Sequence, residues 1–259
     1  MNKLGISIAV LLAVMATNAA SKDWPTIRFG ATTSYSPFHS ERPDGERVGF
    51  DIDLGNEICR RMHAKCVWVD SEFDGLIPAL KARKFDGILS ALSITPKRAK
   101  EVAFSSKLYN IPSQLVARKG ASLGSTVAAL RGKSIGVVQG STQELYAKRY
   151  WEPEGVVVKS YQNQDIVYAD LLAGRLDATL TNAAQAEYGF LNTPQGVPFE
   201  FSGEALSDPQ IFGVGTAVGL RKEDDDLKTQ IDQAIASMRA DGTYDRIARR
   251  YFKFDAYGK

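Results

Sequence analysis

Arg98 closes the stretch Gly87-Ile88-Leu89-Ser90-Ala91-Leu92-Ser93-Ile94-Thr95-Pro96-Lys97-Arg98. Gly87 to Leu89 reads as a short buried strand. It runs into a loop with hydroxyls at Ser90, Ser93 and Thr95. Thr95 is placed to cap a helix whose first residue is Pro96. A guanidinium is a planar fork that holds both oxygens of a carboxylate. Ligands of open α/β sheets sit outside the carboxyl ends of the strands. The competing reading is a solvated arginine on a surface helix, and this segment alone favours it.

A second group is Gln139-Gly140-Ser141-Thr142-Gln143-Glu144, a glycine turn between a strand and a helix start. Such a start presents backbone N–H groups that favour an anion. A plain capping turn, with Ser141 or Thr142 as cap, is compatible with that. The turn lacks the lysine of a nucleotide-binding loop. The histidines, His39 and His63, fall in a loop and a helix tail, and suggest no Ser–His–Asp arrangement. Glu144 and Glu187 lie near the same segments, and solvated helix acids explain both. No metal site is expected.

Cys59 and Cys66 are the two cysteines, seven positions apart. Met1 to Ala19 reads as a signal peptide: Lys3, an apolar run from Leu4 to Ala16, then the small-residue end Thr17-Asn18-Ala19. The apolar run is too short to span a membrane. An exported chain meets an oxidising compartment, so a Cys59–Cys66 disulfide is expected. The competing metal reading gathers Cys59, His63 and Cys66, with no second Cys/His pair. A net charge of +2, without a Lys/Arg tract interleaved with aromatics, argues against nucleic acid as a partner.

The elements around these residues alternate. Thr26 to Gly30, Cys66 to Val69 and Asp86 to Leu89 read as strands, separated by helices over 49–62 and 73–81. That is the pattern of a parallel sheet covered by helices. Leu108 to Ala117 reads as extended, crossing into a second lobe. There Ser134 to Val138, Val156 to Tyr161 and Ala178 to Leu180 read as strands. Helices are expected from the Gln139–Glu144 turn to Tyr150, over 165–173 and over 183–191. Phe212 to Leu220 suits a return crossing, and helices over 227–238 and 244–251 complete the first lobe.

Phe50-Asp51-Ile52-Asp53-Leu54, Leu92 to Arg98, Gln139 to Glu144, Gly219-Leu220-Arg221-Lys222-Glu223-Asp224 and Ala240-Asp241-Gly242-Thr243-Tyr244 occur in order along the chain. Together they resemble the periplasmic solute-binding proteins for polar amino acids, in the histidine and lysine/arginine/ornithine branch. The resemblance covers the mature chain, including the cysteine pair. It implies an α/β fold of two lobes, each a mixed, mostly parallel sheet flanked by helices, joined by two hinge strands. Lobe 1 would comprise 20–109 and 216–259, and lobe 2 would comprise 112–212. The crossings would fall at 110–111 and 213–215. It also implies a monomer in the periplasm that needs no cofactor and delivers its ligand to an ABC permease in the inner membrane.

Carried over position by position, the resemblance gives Arg98 the ligand α-carboxylate, with the backbone at Thr142 helping. Ser93 helps hold the α-amino end, and Tyr35 and Phe73 sandwich the side chain. Ser90 contacts its polar part, and Ala91 belongs to the same contact set. Two positions depart from the branch. Thr32 and Asn182 stand where it carries aspartates, one for a cationic side chain and one for the α-ammonium. Three ligands stay open: a basic or polar amino acid with Asp51 or Glu72 compensating, an opine-like conjugate, and an uncharged polar amino acid. A dehydratase for cyclic prephenate-type acids on the same fold is the enzymatic alternative. It would need a general acid in the cleft.

Overall fold

In the computed structural model, which describes residues 23–121 and 123–258, the chain builds two five-stranded sheets. The expected signal peptide over 1–19 lies outside the described residues. Strand β1 (Thr26–Ala31) is followed by a short hairpin of β2 (Ser40–Glu41) and β3 (Arg47–Val48). Helix α1 (Phe50–Arg61) starts after Gly49, whose φ of +134° and contact with the Phe38 carbonyl leave no room for a side chain. Asp51 and Asp53 in its first turn and Arg60 and Arg61 in its last complement the helix dipole. Phe50, Leu54 and Ile58, four apart, form its buried face.

Then come β4 (Lys65–Asp70), a 3₁₀ turn over Phe73–Gly75, α2 (Leu76–Lys81), β5 (Gly87–Ile88), α3 (Pro96–Ala99) and β6 (Ala103–Phe104). The second sheet begins with β7 (Ser113–Arg118). It continues through α4 (Val127–Leu130), β8 (Ser134–Val138), α5 (Thr142–Tyr146), β9 (Val157–Tyr161), α6 (Gln164–Leu172), β10 (Ala178–Asn182), α7 (Ala183–Ala186) and β11 (Phe199–Leu206). The chain returns through β12 (Gly219–Leu220) and ends in α8 (Asp225–Ala240) and α9 (Thr243–Tyr251).

The first sheet has the order β4-β1-β5-β12-β6, with β4, β1 and β5 parallel and β12 antiparallel to both neighbours. The second has the order β11-β7-β10-β8-β9, parallel only across β10-β8-β9. Apolar side chains cover both faces of each. Leu115 and Ala117 join one core cluster while Val116 between them joins another. Ile88 and Leu89 divide in the same way over the first sheet. Strands buried on both faces read as continuous apolar runs, as Leu115-Val116-Ala117 does.

Several expected elements are shorter or subdivided. The helix expected over 73–81 opens with a 3₁₀ turn. The helices expected to Tyr150 and over 183–191 are α at first and π-helical over Ala147–Trp151 and Glu187–Leu191. Strand β11 is absent from the sequence reading, although Phe199-Glu200-Phe201 alternates. Within 212–220 only Gly219–Leu220 is regular strand, and Thr216 bridges to Ser93 and Tyr109. Among the described residues no helix is long and apolar enough to cross a membrane.

Cys59 and Cys66 form the expected disulfide, with Cα atoms 5.7 Å apart, joining the end of α1 to β4. Both sulfurs are thereby committed, which ends the metal reading of Cys59, His63 and Cys66.

Candidate functional site

A cavity of about 390 Å³ lies between the two sheets. All nine cleft residues singled out from the sequence line it: Thr32, Tyr35, Phe73, Ser90, Ala91, Ser93, Arg98, Thr142 and Asn182. They come from strand ends and helix starts on both sides, as loops at the carboxyl ends of strands should.

Arg98 is placed by α3. Thr95 Oγ1 accepts from the Arg98 backbone N–H, and Pro96 takes the first helical position, as the sequence predicts. The guanidinium donates through Nη1 to the Ser93 carbonyl at 3.1 Å and through Nη2 to the Gly140 carbonyl at 3.2 Å. It lies 5.4 Å from the Phe73 ring centre. The residue is 9% exposed. Burial pushes its pKa down to about 10, and no acid offsets that shift. Such a cation gains from any carboxylate that enters the cavity.

Across the cleft, Ser141 caps α5 by accepting from the Glu144 N–H at 3.0 Å. Thr142 and Gln143 are the first helical residues, whose N–H groups have no partner inside the helix. Glu144 turns away from the ligand space. It accepts from Gly140 N, Lys148 Nζ and Ser160 Oγ. Burial favours its neutral form, but those donors prevail and hold its pKa below the usual glutamate value. A carboxyl kept ionised in this way is poorly suited to the general-acid role a dehydratase needs.

Tyr35 stacks on Phe38 and His39, with ring centres 5.7 Å away in both cases. Its hydroxyl reaches the other lobe, 3.5 Å from Thr181 Oγ1. Burial pushes the phenol up to about 12. The cavity floor is polar. Ser90 Oγ accepts from the Thr32 N–H at 3.1 Å.

The wall is nearly free of formal charge. Among the described residues, Arg98 and Asp208 are its charged side chains. Asp208 already accepts from Tyr150 O–H and the Gln210 N–H. Asp51 and Glu72, the acids expected to compensate for Thr32 and Asn182, do not line the cavity. Asp51 is buried behind the floor and Glu72 points to solvent.

Residues 27–254 match the model of the bacterial extracellular solute-binding proteins, family 3. The chain belongs to that family. The lysine/arginine/ornithine-binding periplasmic protein of Escherichia coli (strain K12) is 51% identical over 98% of both chains. The histidine-binding periplasmic protein of Salmonella typhimurium is 48% identical over the full length of both. Among solved structures, an ancestral arginine-binding protein bound to arginine superposes with a TM-score of 0.83 at 32% identity. That match covers 89% of this chain and 100% of the other. The two-lobed fold and the role of solute capture, rather than catalysis, follow from this membership.

In this solute-binding protein Asn182 does not present a free amide, which could both accept through its carbonyl oxygen and donate through its NH2. Asn182 instead caps α7, and its Oδ1 accepts from both Ala184 N and Gln185 N, at 3.0 and 3.2 Å. Its side-chain NH2 reaches the Ile111 carbonyl at 3.5 Å. With both lone pairs engaged, the group has donors left to offer rather than acceptors.

Cross-lobe contacts also escaped the sequence reading. Gln139 Nε2 donates to Asp74 Oδ2 at 2.9 Å. A Cβ on Gly140 would stand 2.9 Å from Asp74 Cα. Nothing in the local pattern signals a contact between residues 65 positions apart. His39, a loop residue by its sequence context, lines the cavity floor.

Proposed function

We propose that this protein captures a basic amino acid, of the arginine, lysine, ornithine or histidine type, between its lobes and delivers it to an ABC permease in the inner membrane. The observation that carries the reading is Arg98. It is a buried guanidinium with two N–H groups held by backbone carbonyls and no acid beside it. An α-carboxylate matches that guanidinium in charge and shape. Thr142 and Gln143, whose N–H groups have no partner inside the helix, line the cavity from the second lobe, and Phe73 and Tyr35 line it as well. The ligands named for the relatives support the basic class.

Lobe 1 then comprises 20–109 and 216–259, and lobe 2 comprises 112–212. The crossings at 110–111 and 213–215 act as hinges. The mature chain begins after Ala19 and works as a periplasmic monomer.

One observation favours a second reading, an opine-like conjugate or an uncharged polar amino acid. The cavity has no carboxylate at Thr32 or Asn182. A thermal-shift panel of arginine, lysine, ornithine, histidine, glutamine and octopine separates the two, because a ligand that binds only the folded chain raises its melting temperature. The basic amino acids are expected to give the largest shifts. A response to octopine or glutamine alone would replace the first reading by the second.

A further inference from the structure

His39 has a position on the cavity floor that none of the roles above uses. Its side chain is 1% exposed. Nε2 lies 2.5 Å from Thr32 Oγ1 and 3.4 Å from Ser90 Oγ. On the far edge of the ring, Nδ1 has no hydrogen-bond partner and stands 3.7 Å from Asp51 Oδ2. Asp51 is wholly buried behind the floor. Its carboxylate accepts from the Ala91 N–H and the Tyr109 O–H, both at 2.8 Å. The order from the interior outward is carboxylate, imidazole, hydroxyl, cavity.

In a neutral ring the tautomer follows from the neighbours. An Nδ1 lone pair facing a carboxylate oxygen is repelled, whereas an Nδ1–H is attracted. A neutral ring protonated on Nδ1 has an accepting Nε2. Thr32 then donates its O–H to Nε2, which leaves the Oγ1 lone pairs for the cavity. Hydrogen-bonded groups in series polarise one another in a low-dielectric interior.

We propose that Asp51, His39 and Thr32 form a relay that carries the buried negative charge to the cavity floor, making His39 a specificity-determining residue for a cationic ligand side chain. The relay rests on the basic-amino-acid reading above. It supplies an acceptor at the position where the family resemblance implies an aspartate, without placing a carboxylate in the cavity. Asp51 and His39 are positioning residues in this scheme, and Thr32 makes the contact.

The test compares arginine with citrulline, whose side chains have nearly the same shape but differ in charge. Calorimetry gives both dissociation constants for the wild type, Thr32→Val, His39→Leu, His39→Gln and Asp51→Asn. Thr32→Val keeps the side-chain shape, so it decides the question even if the His39 variants fold poorly. The preference for arginine over citrulline is expected to fall about tenfold in Thr32→Val, His39→Leu and Asp51→Asn, the loss of one charge-assisted hydrogen bond. His39→Gln should retain more of it than His39→Leu, because an amide can donate toward Asp51 and accept from Thr32. A ring that only fills space would make no such distinction. An unchanged preference in Thr32→Val overturns the relay and leaves the ligand class standing, provided the wild type prefers arginine. A wild type that prefers citrulline overturns both.

Discussion

Two buried charges in this protein are handled in opposite ways. Asp86 is paired. It accepts from Arg28 Nε and Nη2 and from the Arg28 backbone N–H, and Arg221 stands 3.4 Å away. Burial alone would raise its pKa, but the Arg28 and Arg221 contacts outweigh that and hold it below the ordinary aspartate value. The folded-state pKa is therefore below the unfolded one. The stability it contributes is present above about pH 4 and is lost as pH falls through the folded value. Asp86→Asn is expected to lower the melting temperature at neutral pH and to shrink its drop on acidification. Melting curves between pH 7 and pH 3 check this; parallel curves for the two proteins would contradict it. Arg98 is left without an acid, and its proposed role in holding a ligand rests on that imbalance. The sequence already singles out Arg98 through its helix start, because Thr95 and Pro96 act locally. Its burial depends on Phe73 and Gly140, which lie far along the chain, and so was not legible. Asn182 was legible as a cleft residue but not as a cap, since its acceptor is consumed only once α7 starts where it does.

At the level of elements, the periodic ones were readable and the irregular ones were not. Helix α1 carries Phe50, Leu54 and Ile58 on one face, and α8 carries Leu227, Ile231, Ile235 and Met238. Such spacing identifies a helix without tertiary knowledge. Strands β1, β8 and β9 are short apolar or alternating runs between turns. Strand β11 was missed because its pairing with β7 is antiparallel and distant, with a register shift between Ser202 and Leu206. Its Gly203 also interrupts the alternation. The π-helical ends after α5 and α7 have no sequence signature of their own. Within them Trp151 and Phe190 are buried in two different clusters of the second sheet. None of these differences moves a cleft residue away from the cavity, because those residues sit at the ends of strands and starts of helices that the periodicity does locate.

At the level of the whole molecule, the two lobes meet across the cavity. Arg98 donates to the Gly140 carbonyl, and Gln139 donates to Asp74. Gly140 has φ of +75° and lies against Asp74 so closely that an added Cβ would contact backbone. Gly140→Ala is therefore expected to keep the lobes apart and weaken arginine binding about tenfold or more, since apparent affinity falls with the fraction of chains able to close. Small-angle scattering with saturating arginine should show a larger radius for the variant than for the wild type. Equal radii and equal affinity would remove Gly140 from the closure.

The central claim is that Arg98 holds the α-carboxylate of an amino acid enclosed between the lobes. Calorimetric titration of arginine into the wild-type protein and into Arg98→Ala tests it most directly. Losing a bidentate, charge-assisted pair should weaken binding by roughly a hundredfold or more, with Arg98→Lys in between because it cannot reproduce the fork. Tight arginine binding that is the same in wild type and Arg98→Ala would contradict the account.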